Sequence, residues 1–135
     1  MIPNLVVATL LLAHGVLHAS FLAPAPPMTP GSPTWPFDLT HSWVLSPLGV
    51  PQEVLRLLGI ACISVTIAAF AFAALASVGP IPTALFRPGI AIGSIASLVL
   101  LVVFFHPWLV VGVAIDVGLL WAVVVAGWLP DASAS

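Results

Sequence analysis

Long apolar runs, each about the length of a bilayer crossing, are separated along this chain by one long stretch rich in proline and tryptophan and by short turns that contain proline. The first run extends from about Pro3 to Ala23 and is built of Leu, Val and Ala around two imidazoles, His14 and His18. A second covers about Gln52 to Val78, a third about Pro88 to His106, and a fourth about Trp108 to Leu129. Helices of this length cross roughly 30 Å of hydrocarbon at about 1.5 Å per residue. The stretch from Ile90 to Leu129 is too long for one crossing, and His106-Pro107 marks the reversal. The start Met1-Ile2-Pro3-Asn4 lacks the basic region of a signal peptide, so the first run reads as a span. The pattern predicts an all-α fold: one membrane domain over residues 1–135, a four-transmembrane-helix bundle with a Pro/Trp-rich interfacial loop at 24–51 between helices 1 and 2.

That loop is neither helix nor plain solvated coil. Pro24, Pro26, Pro27, Pro30, Pro33, Pro36, Pro47 and Pro51 prevent a long helix, because proline lacks a donor and restricts the residue before it. Trp35, Phe37, Leu39, Trp43 and Leu45 are too apolar for open water. Asp38 is expected to cap a short helix from Leu39 to Leu45, with Trp35 and Trp43 at headgroup depth. Trp108 and Trp128 read as interface anchors and the deeper Trp121 as packing. Pro51 suits the first turn of the second run, where Glu53 and Arg56 are spaced to pair. Small residues mark the second and third runs, including Gly89 and Gly93 in a GxxxG arrangement that favours close packing in lipid. The tail Asp131–Ser135 is short and polar.

Composition sharpens this reading. Charged residues make up 4% of the chain against 61% hydrophobic, whereas soluble domains average roughly 25% charged. A water-facing surface cannot be built from two Arg and four carboxylates. The lipid bilayer is therefore the expected surrounding, and nucleic-acid binding is excluded for want of a basic patch. The single cysteine, Cys62, permits no intrachain disulfide and no Cys-based metal site, and reads as a small buried hydrophobe.

Alternating direction then brings the scarce polar groups together. If the first run ascends, His18 lies about 8 Å and His14 about 14 Å from its far end. The fourth run descends from that end, which puts Asp116 about 12 Å down, close to the depth of His14. His41 in the loop and His106 at the end of the third run share that half of the bundle, as do Glu53 and Arg56. A carboxylate in mid-membrane costs about 2.5–3.5 kcal/mol on insertion scales and needs a partner or a proton. The imidazoles, four residues apart, share one helix face. The candidate ligand-binding set is His14, His18, Asp116, His106 and His41, with His14, His18 and Asp116 as metal ligands for Zn or Cu. The His pair lacks the glutamate base of zinc-protease helices, which argues against hydrolysis through it. Bis-His haem, from His14 or His18 with His106, is the weaker alternative, since His106 before Pro107 is a poor rigid ligand. No nucleophile stands out beyond Ser20, Ser42 and Cys62, which leaves an enzymatic role open.

Three stretches carry a resemblance: Ala13-His14-Gly15-Val16-Leu17-His18, Trp35-Pro36-Phe37 through Ser42-Trp43, and His106-Pro107-Trp108-Leu109-Val110 through Asp116. Together they resemble small bacterial four-helix integral membrane proteins and, more loosely, the DoxX-like four-helix membrane proteins. The resemblance covers layout and brings no catalytic signature. The expected function is thus a small polytopic membrane protein with a buried His/Asp site that binds a transition metal or another small ligand. The alternatives are an accessory or assembly subunit of a larger membrane complex, with other subunits or a second copy as partner, and a small transporter or proton pathway. With one arginine near each face and a long Trp-bearing loop, the expected placement is the plasma (inner) membrane with termini cytoplasmic.

Overall fold

The computed structural model describes residues 2–27, 29–31 and 34–130; the tail Asp131–Ser135 lies outside them. Helix α1 (Ile2–Leu17) continues as a 3-10 segment, His18–Leu22, and is followed by α2 (Gln52–Val78), α3 (Phe86–Val103) and α4 (Val110–Leu120). Short 3-10 turns at Thr83–Leu85 and Pro107–Leu109 lead into α3 and α4, and a π-turn at Trp121–Val125 extends α4. No strand occurs among the described residues. All four helical stretches are long and apolar enough to cross a membrane. Their outward faces carry large apolar side chains such as Leu10, Phe72, Ile95 and Val124. Such faces suit acyl chains rather than water.

Packing runs α1 on α2, α2 on α3 and α3 on α4, while α1 and α4 approach one another sparsely. Small residues make the tight contacts. A Cβ at Gly89 would lie 3.0 Å from the Ala69 carbonyl oxygen and from Ala73 Cβ, and one at Gly93 would lie 2.9 Å from the Phe70 ring. The GxxxG of α3 therefore lies flat on α2. Phe70 is fully buried and also faces α1, where a Cβ at Gly15 would come within 3.3 Å of it.

Each end of the bundle is closed by side-chain bonds to backbone carbonyls at or just beyond a helix end, where carbonyls lack partners within their own helix. At the loop end, Ser42 Oγ donates to the Val103 carbonyl and Trp43 Nε1 to that of Val102, both at 2.6 Å. At the opposite end, Arg87 donates from Nη2 to the Gly127 carbonyl and from Nε to that of Trp128 at 3.5 Å. Phe86 and Trp128 stack there with ring centroids 5.4 Å apart.

Several local expectations need correcting. No helix forms over Leu39–Leu45. The Asp38 carboxylate accepts from Thr40 N at 2.8 Å and Thr40 Oγ1 at 2.7 Å, a turn that keeps it from capping. Leu39 instead turns into the core, where its side chain occupies the space a Gly59 Cβ would need. Ser42 takes the capping role, accepting from Val44 N and Leu45 N, and Ser46–Leu48 is the short 3-10 turn that follows. The third run stops as helix at Val103, before His106. Glu53 and Arg56 are both exposed, and no ion pair joins them among the described residues. Trp121 is 60% exposed and faces outward instead of packing inside. Cys62 is half-buried and free.

Candidate metal centre

Two apolar clusters fill the interior. One contains Leu11, Phe70, Ile90 and Val123, the other Phe21, Leu55, Leu100 and Leu109. Along α1 the histidines fall between Leu11 and Phe21, along α3 Ser97 falls between Ile90 and Leu100, and along α4 Asp116 falls between Leu109 and Val123. A polar layer is thus enclosed between two apolar ones. In that layer His14, His18 and Ser97 are buried and Asp116 is 0% exposed.

His14 Nε2 and Asp116 Oδ1 are 3.0 Å apart. His18 donates from Nδ1 to the His14 carbonyl at 2.9 Å, one turn back, where α1 tightens into 3-10 geometry. A carbonyl only accepts, so this bond fixes the tautomer: in neutral His18 the proton is on Nδ1 and Nε2 carries a free lone pair. His18 Nε2 lies 2.6 Å from Ser97 Oγ, and Ser97 Oγ also bonds to Asp116 Oδ2. The His14 ring stands edge-on to that of His18 at 5.1 Å and tilts against Phe70 at 5.3 Å.

These contacts close a ring of four hydrogen bonds: His18 to the His14 carbonyl, His18 to Ser97, Ser97 to Asp116, and Asp116 to His14. Each bond needs a proton. Two neutral imidazoles, one hydroxyl and a carboxylate supply three between them. Closing all four contacts at once therefore takes one proton more than these groups carry. One further positive charge, from a proton or a bound cation, balances the buried carboxylate in a layer enclosed by apolar side chains.

One ligand atom each from His14, His18 and Asp116 lies within 4.8 Å of the others. Bonds of about 2.0–2.1 Å to a tetrahedral ion put neighbouring donor atoms about 3.3 Å apart, near the observed His14–Asp116 separation. The bond from His18 Nδ1 to a carbonyl is the support that metal-bound imidazoles commonly have, and Ser97 steadies the carboxylate in the same way. His14 and His18 also line a cavity of about 210 Å³ between α1 and α4, which leaves room for a non-protein ligand.

Compared with protein-family models, curated proteins and solved structures, the chain matches none. The site therefore has to be read from its own atoms. Of the five residues singled out in the sequence, His14, His18 and Asp116 come together; His106 and His41 do not join them. His106 Nε2 is 3.0 Å from Thr34 Oγ1, and its Nδ1 accepts from Trp108 N at 3.3 Å, capping the turn that starts α4. His41 is exposed on the loop. The haem pairing thus has no geometry behind it, because His106 is directed into its own turn. Ser97 is the member that sequence reasoning passed over, since it sits in a run of small residues that reads as helix packing. Its depth carries the missing signal: Ser97 is six residues from the loop end of α3, and Asp116 six from the loop end of α4.

Proposed function

We propose that this chain is a membrane protein that binds a divalent transition-metal ion, of the zinc or copper type, through His14 Nε2, His18 Nε2 and Asp116. The observation that carries the reading is the convergence of three buried ligand atoms from α1, its 3-10 extension and α4 within 4.8 Å. Imidazole nitrogen with one carboxylate oxygen is a donor set suited to these ions. Its ligands must be deprotonated to bind it, so ion and proton compete for the same atoms. The plasma membrane, with the termini cytoplasmic, is the proposed setting. The resemblance to small bacterial membrane proteins and the Trp-bearing loop opposite the termini support it.

The test is elemental analysis of protein purified in mild detergent, wild type beside His14→Ala. The expected outcome is near-stoichiometric zinc or copper in the wild type and little in the variant. Apparent affinity should fall about tenfold for each pH unit lost while one proton competes with the ion. Near-zero metal in both proteins, after dialysis against each ion, would end the reading.

A further inference from the structure

We infer that the cavity between α1 and α4 is a binding site for a lipid-soluble molecule of one or two fused rings that carries a hydroxyl group. Size is the first argument. The cavity holds about 210 Å³. An engineered apolar cavity of about 150 Å³ takes benzene, so a single ring fits with space for a second. Its walls are apolar, with Leu17, Leu101 and Ile115 along the sides and the aromatic rings of Phe37 and Trp108 beside them. Polar side-chain groups enter the lining at His14, His18 and Ser20, and at the indole N–H of Trp108.

The way in is sideways. Leu17, Val111 and Trp108 line the cavity and yet are 65%, 64% and 69% exposed. On spans of this kind those surfaces face acyl chains, and the helices on either side approach one another sparsely. A molecule already dissolved in the bilayer reaches the cavity without crossing water. A charged head finds no counter-ion in the lining, which contains no carboxylate, arginine or lysine, and Asp116 is buried behind it.

The hydroxyl follows from His14. Its Nε2 meets Asp116, and among the described residues its Nδ1 has no hydrogen-bond partner. With the proton on Nε2, Nδ1 accepts; with a metal on Nε2, the proton moves to Nδ1, which then donates. A hydroxyl group can take either part, so the inference does not depend on the metal reading. An acyl tail in the same space would leave Nδ1 unbonded.

The experiment is equilibrium dialysis of the full chain in detergent, stripped with a chelator, against labelled 1-naphthol and labelled naphthalene. Protein-free micelles correct for partitioning. Saturable one-to-one binding of 1-naphthol, at least tenfold tighter than naphthalene, is expected. Gly112→Leu adds a side chain to the cavity wall, where its Cβ would meet a terminal methyl of Leu101 at 3.0 Å. That variant should lose saturable binding while keeping its unfolding temperature, and Ile115→Phe serves as a second filling variant should the first not fold. Equal affinity for the two probes, or naphthol uptake no greater than that of empty micelles, overturns the inference. Unchanged binding in both folded filling variants does so as well. Metal content is measured separately on unstripped protein, so naphthol binding without metal defeats only the metal reading, and metal without naphthol binding defeats only this one.

Discussion

Replacing Asp116 by alanine removes the acceptors of His14 Nε2 and Ser97 Oγ together. Breaking a buried pair by deleting one partner costs about 3–5 kcal/mol, and thermal unfolding in detergent should register that loss. Asparagine behaves differently. Its amide can donate to Ser97 and accept from His14, so the ring closes with Ser97 donating to His18 and no extra proton. Asp116→Asn is therefore expected to unfold within about 1 kcal/mol of wild type and still to lose metal, since a neutral amide is a far weaker ligand. Equal metal retention in Asp116→Asn would detach the carboxylate from the site's function. The partners of Asp116 are partly readable from the chain alone. Counting residues from the helix ends gives depth, and depth pairs Asp116 with His14. It says nothing of residues beyond the helix ends: His41 lies on the loop and His106 past the end of α3, so both share an end of the bundle with the cluster but not its interior. Ser97 has the right depth too, but a hydroxyl among glycines and alanines has no feature that separates a ligand support from a packing residue.

At the level of helices, the α2–α3 contact is set by residues that have no side chain to spare. Gly89→Val pushes new atoms against the Ala69 carbonyl and Ala73, and overpacking of this kind costs about 1–3 kcal/mol. A methyl group added at Gly118 on α4 would meet nothing within 4 Å, so Gly118→Ala should stabilise by about 0.5–1 kcal/mol through backbone entropy. Unfolding midpoints of the two variants should thus move in opposite directions; a matched fall in both would mean the helix contact is not what the glycines serve. The GxxxG spacing makes the first of these contacts legible. The loop is less so, because its turn chemistry is decided by competition among nearby side chains. Thr40 engages the Asp38 carboxylate, and the Ser42 hydroxyl, 0% exposed, is placed where it caps one turn and closes α3 at once. The outward face of Trp121 is hidden for another reason: apart from Asp116, α4 is apolar throughout, so hydropathy alone does not mark which side meets the bundle.

For the molecule as a whole, the four apolar runs and the single long loop fix the up-and-down order, and that much is plain from hydropathy. Both ends bear it out in atoms, with the loop and the α3–α4 turn joined at one and Arg87 reaching the end of α4 at the other. In a Cys62→Ala background, cysteines placed at Thr40 and Gly79 should react with an impermeant maleimide from opposite sides of a membrane. Labelling of both from one side would mean that α2 does not cross between them. The Arg87 contacts also bear on how the protein is handled. Its guanidinium is held by the Gly127 and Trp128 carbonyls, beyond the last helical turn. A purification tag or reporter joined directly after Val125 would discard both acceptors and strand a cation at the bilayer edge, whereas one joined after Pro130 keeps the clasp shut.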